Sequence, residues 1–145
     1  MKKDLAKDNA YMKMAVNILR TGNIIDHKVS DALKEFEITH IQFNILRILE
    51  EAYPEKVSAG DIKRGLLFST SDVTRLLDRL EKRNLIIRSL CPENRRKMDI
   101  SITEAGLQVI ADSLPKMKEN LDDYYRNKIT ESERDQLIEI LKRIN

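Results

Sequence analysis

Phe68-Ser-Thr-Ser-Asp-Val-Thr-Arg-Leu-Leu-Asp-Arg-Leu-Glu-Lys-Arg83 is the stretch from which the rest of the chain is read. Val73, Leu76, Leu77 and Leu80 fall at i, i+3, i+4 and i+7, the spacing of one apolar helix face. Ser71, Arg75, Asp78 and Lys82 lie opposite, with Thr74 and Arg79 on the flanks. Ser69 suits the N-cap, which puts Asp72 at N3, where a carboxylate meets free N–H groups. Phe68 and Val73 then take the N′ and N4 positions of a hydrophobic staple. Such a helix has a slim, hydroxyl-bearing first turn with arginine behind it. A helix entering the major groove of DNA needs that end small and polar to reach base edges. Taken alone, the stretch also fits an amphipathic helix with a solvated polar face, and its neighbours decide between the two.

Upstream, Ser58 caps a short helix over 59–66, and Gly65-Leu-Leu-Phe68 forms a turn. Short helix, turn, second helix is helix-turn-helix order. Downstream, Arg83-Asn84 closes the second helix, Asn being the usual substitute for Gly at a left-handed C-cap. Residues 85–90 and 97–102 read as strands, with Met98, Ile100 and Ile102 on one face. Between them lies the basic tip Cys91-Pro-Glu-Asn-Arg-Arg96. Two strands with a cationic tip make a wing, and arginines there enter a narrow minor groove or grip phosphates.

The outer segments read as helices. Residues 8–35 carry apolar residues at three- and four-residue steps, with Gly22 as a point of bending. Thr39 and Gln42 form a capping box with Ile38 and Phe43 as staple, opening a central helix that ends at Tyr53-Pro54. Thr103 caps a helix striped by Leu107, Ile110, Leu114, Met117, Leu121 and Tyr124, with a kink expected at Pro115. Thr130 and Glu133 form a second capping box before the stripe Leu137, Ile140, Leu141 and Ile144. Helices this long carry more apolar surface than one small core covers, and a partner chain is the simplest cover.

Composition agrees. The chain has 145 residues, 41% apolar and 34% charged, with four Gly and three Pro, which suits one helix-rich domain. One cysteine excludes an internal disulfide and fits a reducing cytosol. No apolar run nears a membrane span and no signal-peptide pattern opens the chain, so a cytoplasmic protein is expected. The net charge of +2 is unevenly spread: residues 1–60 are neutral (nine basic, nine acidic), 61–97 carry +5 (ten, five) and 98–145 carry −3 (seven, ten). Positive charge thus gathers around the recognition candidate and the wing, the footprint of a polyanion-binding segment.

The sequence resembles the MarR family of bacterial transcription regulators. The resemblance is carried by Ile38-Thr-x-x-Gln42, by Ser71-Asp-Val-Thr-Arg-Leu-Leu-Asp-Arg-Leu-Glu-Lys-Arg-Asn-Leu-Ile86, and by Arg95-Arg96 seven residues ahead of Ile102-Thr-x-x-Gly106. It implies a homodimer held by the first and last two helices, with recognition helices in the major groove and wings in the minor groove of a pseudo-palindromic site. It also implies that Asp78 pairs with Arg96, the second wing arginine, as a structural brace. The family's wing reads Asp-Arg-Arg, and here Asn94 stands in place of the Asp, which removes a charged brace. Asn84 replaces the usual Gly. Many members release DNA when a small aromatic anion binds between the dimer helices and the DNA-binding lobe. Tyr11, Phe36 and Phe43 are candidates to line such a cleft, with core packing as the alternative; no ligand is identifiable.

Other constellations carry less. There is no nucleophile elbow, glycine-rich phosphate loop or metal-ligand cluster, so no catalytic residue, metal or cofactor is expected and the protein is not read as an enzyme. Cys91, near Arg88 and Arg95 in sequence, is either a redox-sensitive thiol or an unremarkable residue. His27 and His40 lack close second ligands, and Met12, Met14 and Met117 read as interface packing.

The expected architecture is mainly α with a small β-wing, a single domain over 1–145. The winged helix-turn-helix spans about 39–102, and dimerisation helices span about 8–35 and 104–145. The expected function is sequence-specific binding of double-stranded DNA as a transcription repressor. Thr70, Ser71, Thr74, Arg75, Arg79, Arg95, Arg96 and Lys97 are the contacting residues. The rival reading is a winged-helix module that binds protein; the +5 segment and the small-residue helix start favour DNA.

Overall fold

The computed structural model describes residues 9–67, 70 and 72–145, apart from the side chain of Arg95. In these residues six helices surround a three-stranded antiparallel sheet: α1 (Ala10–Leu33), a 3-10 turn (Lys34–Phe36), α2 (His40–Ala52), β1 (Val57–Ser58), α3 (Ala59–Gly65), α4 (Val73–Lys82), β2 (Ile86–Cys91), β3 (Asn94–Ile102), α5 (Glu104–Tyr125) and α6 (Glu131–Ile144).

Most helix starts follow the capping chemistry read above. Asn9 Oδ1 accepts the Tyr11 and Met12 N–H groups at 3.0 and 3.2 Å. Thr39 and Gln42 bond reciprocally at 3.2 and 3.0 Å, so the Gln42 side chain is buried but satisfied. Ser58 and Thr103 cap α3 and α5 by accepting the Asp61 and Gly106 N–H groups, and Thr130 with Glu133 forms a second reciprocal box on α6. Helix α2 is the centre of the core: Ile45 and Leu46 are fully buried, packed with Leu33, Ile62, Leu80, Ile86, Ile100 and Ile110 from α1, α3, α4, the sheet and α5. Helix α1 passes Gly22 and α5 passes Pro115 as single elements.

The recognition helix departs from its expected start. It begins at Val73, with Asp72 as a backbone cap making no side-chain bond, so Asp72 is not at N3 and Thr70 lies before the helix. The physical reason is local: Thr70 Oγ1 accepts the Asp72 N–H at 3.2 Å, a side-chain turn that competes with helical bonding. The expected Ser69 cap and Phe68 staple lie outside the described residues. Asn44 Oδ1 of α2 holds the incoming chain by accepting the Leu67 N–H at 2.8 Å.

The sheet has the order β1-β3-β2. Val57 and Ser58 pair with Ile100 and Asp99, a third strand too short to leave a periodic signal in sequence. Ile86 faces Ile102, both buried, and Leu90 faces Met98, both exposed where the wing runs past the body. The shift in register at Leu90/Cys91 and the turn at Pro92-Glu93 close the wing.

Where α4 ends, three elements converge. Asn84 adopts φ 56°, the left-handed cap expected of it. The Thr103 hydroxyl donates to the Asn84 carbonyl at 2.7 Å and accepts the Gly106 N–H at 3.0 Å, fixing α5 to that turn. Gly106 permits this approach: a Cβ there would collide with the Leu85 carbonyl and stand 2.6 Å from Cγ1 of Ile102. Gly106→Ala is therefore expected to destabilise the fold by about 1–3 kcal/mol through overpacking. A denaturant midpoint unchanged by the substitution would show that α5 is free to back away.

Candidate nucleic-acid interface

Helix α4 buries Val73, Leu77 and Leu80 against the core. That anchoring leaves Thr74, Arg75, Arg79 and Lys82 exposed on the opposite side. Arg75 is two-thirds accessible and sits 3.7 Å from Asp72, which it reaches back to across one turn. At that exposure and distance the pair is weak, and the guanidinium remains available to an anion. Thr70 is half-buried, its hydroxyl engaged with Asp72. Ser71 lies outside the described residues.

The wing presents Arg96 and Lys97 exposed on β3, and Arg95 is on the same strand. Asn94 Oδ1 accepts the Arg96 N–H at 3.1 Å, so the residue that stands for the family's Asp still braces the turn, through a neutral bond. The charged brace is not the one implied by the resemblance. Asp78 pairs with Arg88 at 2.7 Å, and among the described residues no carboxylate pairs with Arg96. Arg88 lies on β2 directly below the wing. Its Nε donates to Glu81 Oε2 at 2.9 Å, and its own N–H donates to Glu81 Oε1 at 3.2 Å. One arginine thus clasps two carboxylates one turn apart on the recognition helix. Reach explains the exchange: Arg88 leaves the strand beside α4, whereas Arg96 lies out on the wing. A signal for Arg88 existed in sequence. It shares the inward face of β2 with Ile86, and an arginine there must be paired.

The clasp has an electrostatic consequence. The Arg88 guanidinium holds the Glu81 carboxyl below its ordinary value, and Glu81 in turn holds Arg88 in its charged form. Cys91 is half-buried where β2 ends.

Of the residues proposed for a ligand cleft, Phe43 is in the core, Phe36 packs half-buried against that core, and Tyr11 is exposed near the start of α1. A cleft of about 650 Å³ instead lies between α1 and the start of α2, lined by Ile18, Leu19, Asp26, Ser30, Thr39 and His40. His40 Nδ1 and Asp26 Oδ1 meet there at 2.7 Å. His27 is exposed, and no cluster able to hold a metal occurs among the described residues. No helix among them is long and apolar enough to cross a membrane.

The family model described as MarR family matches residues 38–98, from the cap of α2 through most of the wing. The regulator SarZ of Staphylococcus haemolyticus, an HTH-type transcriptional regulator, is 26% identical over 125 residues, 86% of this chain and 81% of SarZ. The chain is thus similar to the MarR family over that segment and to regulators of this kind along most of its length. Solved structures of the family share its fold. One from Streptomyces coelicolor, in complex with DNA, superposes with a TM-score of 0.81 at 17% identity, covering 94% of this chain and 90% of that one. Another, BpsR of Bordetella bronchiseptica, whose DNA binding is regulated by 6-hydroxynicotinic acid, gives 0.80 at 18% identity, covering 91% and 98%. The fold is accordingly a winged helix-turn-helix with α4 in the place of the recognition helix, and the sequence likeness to the family model and to SarZ makes the chain a transcription regulator.

A carboxyl whose pKa is lowered on folding stabilises the fold above its unfolded pKa, and that contribution is lost as pH falls through the folded value. Glu81→Gln is therefore expected to lower the thermal midpoint at neutral pH. The gap to the parent protein should close as pH falls below the ordinary carboxylate range. A gap that persists in acid would mean that shape, not charge, makes the clasp.

Proposed function

We propose that the protein binds a pseudo-palindromic operator as a homodimer and represses transcription in the cytoplasm, as one domain over 1–145. The observation that carries this reading is the division of charge on α4 and the wing. Arg88 is committed to Asp78 and Glu81, while Arg75, Arg79, Arg96 and Lys97 stand exposed on one lobe. The first turn of α4 enters the major groove. Thr74 and Arg75 reach base edges there, with Thr70 and Ser71 just ahead of the helix on bases or flanking phosphates, and Arg79 holds phosphate. Arg95, Arg96 and Lys97 carry the wing into the minor groove. The rival protein-binding module has no use for this set of exposed cations.

The homodimer follows from apolar helix surface that the single chain leaves uncovered. No residue of α6 is buried, although Leu137, Ile138, Ile140 and Ile144 make it strongly apolar on one side. On α1, Tyr11 is 79% and Leu19 73% exposed. A groove of about 780 Å³ between α1, α5 and α6, lined by Ile25, Leu121, Tyr125, Leu137 and Leu141, is the space for the second copy. A helix of this length needs tertiary packing to persist, and a partner supplies it. Sedimentation at micromolar concentration should give a single species of twice the chain mass; a compact monomer would overturn the dimer.

A small molecule relieves repression by entering the cleft between α1 and the start of α2, where dimer helix and DNA-binding lobe meet. The family likeness to BpsR supports this step. The chemistry assigned to α4 is tested on an operator selected from genomic fragments, alongside a scrambled duplex. Arg75→Ala should cost about 1–3 kcal/mol on the operator, relax preference at one position per half-site and leave scrambled binding nearly unchanged. Arg96→Ala should weaken both duplexes and reduce the salt slope by about one. Affinity for either duplex that does not fall with salt would remove DNA as the partner.

A further inference from the structure

Arg83 does more than close the recognition helix. Its guanidinium crosses to the far side of the fold, where Nη1 donates to the Glu37 carbonyl at 2.6 Å and Nη2 to the Phe36 carbonyl at 3.0 Å. Those carbonyls lie at the end of α1 and its 3-10 extension, where the chain turns through Glu37 at φ 54° before α2 begins. The last carbonyls of a helix have no partner within it and carry the negative end of its dipole. Arg83 supplies two donors in a fixed fork, and its side chain is only 35% accessible, 3.9 Å from the Glu37 carboxylate. It therefore caps the 3-10 turn that extends α1, from the end of α4.

The connection matters for where α4 points. The first two-thirds of α1 is exposed and belongs to the dimer, whereas Val29, Ala32 and Leu33 at its end are buried in the DNA-binding lobe. The link between dimer axis and recognition helix runs through that end. On the other side of the same turn, Thr103 and Gly106 fasten α5 to Asn84 and Leu85. The end of α4 is thus pinned to the start of α5 by the Thr103 hydroxyl and to the turn that follows α1 by the Arg83 fork.

We propose that Arg83 is a positioning residue that sets the separation and rotation of the two recognition helices, and so determines which half-site spacing the dimer accepts. The proposal rests on the reading of the protein as a dimer on a two-fold operator. One inserted base pair moves the half-sites apart by about 3.4 Å and rotates them by about 36°, so a rigid dimer rejects it. A dimer whose α4 swivels about the Thr103 attachment alone tolerates it.

The experiment compares the parent protein, Arg83→Met and Arg83→Lys. Each is titrated at one salt concentration against the selected operator, the same half-sites with one base pair inserted or removed at the centre, and a scrambled duplex. The parent should prefer the native spacing by about tenfold or more. Arg83→Met should bind the altered spacings to within about threefold of the native one, with scrambled affinity within about twofold of the parent. Arg83→Lys, which keeps the charge but not the fork, should also lose spacing preference, to a smaller degree. If Arg83→Met does not fold, the Lys variant alone carries the comparison. Full spacing discrimination in the folded variants would overturn the proposal. So would an equal loss on all duplexes, scrambled included, which would make Arg83 a phosphate contact. A parent protein that binds no duplex better than the scrambled one would instead bring down the operator reading, and this proposal with it.

Discussion

The contact between the turn after α4 and the start of α5 is the constraint on which this structure depends. Leu85 and Gly106 approach so closely that no side chain fits between them, and the Thr103 hydroxyl bonds to both sides of the junction. That approach brings β2 and β3 under α4, and the wing follows because β3 leads directly into α5. The recognition helix has only ten residues and an unbonded cap, so its own hydrogen bonds do not hold it in place. It is held by Val73, Leu77 and Leu80 in the core and by what grips its last turn.

Charge is sorted in the same economical way. Arg83 and Arg88 are both bonded in pairs, one to main-chain carbonyls and one to carboxylates. Arg75, Arg79, Arg96 and Lys97 remain on the surface. Bonded arginines are structural because a fork satisfied within the protein offers little to a phosphate. Exposed ones keep a field that reaches about 8 Å at physiological salt, enough to draw in a polyanion before contact. Asn94 at the tip bonds the Arg96 N–H and brings no negative charge to that turn.

The outer helices depend on a surface the single chain lacks. α6 has a complete capping box at one end and basic residues at the other, yet buries nothing. Caps define where a helix begins but contribute only about 1 kcal/mol each, far less than burying its apolar stripe would. The N-terminal part of α1 is in the same position, with Tyr11 and Leu19 exposed, and the groove beside α6 takes Thr21 and Ile25 from α1.

How much of this was legible in the sequence depends on the range of the interaction. The capping boxes at Thr39 and Thr130, the left-handed Asn84, the buried stripe of α4 and the alternation that makes the wing all involve residues within a few positions of one another. Their geometry follows from helix or strand period, and the sequence by itself determined them. The exposed cations followed too, since residues opposite a buried stripe have only solvent to face. The start of α4 was misread although it is local, because Thr70 offers the backbone a competing turn that propensity does not rank. The partner of Asp78, the span of Arg83 from α4 to Phe36 and Glu37, and the pairing of Val57 with Ile100 were decided only by tertiary structure. Each joins groups tens of residues apart, and an arginine's choice among several carboxylates or carbonyls turns on differences of an ångström or two. Sequence spacing carries no record of such distances; the packing of the core sets them.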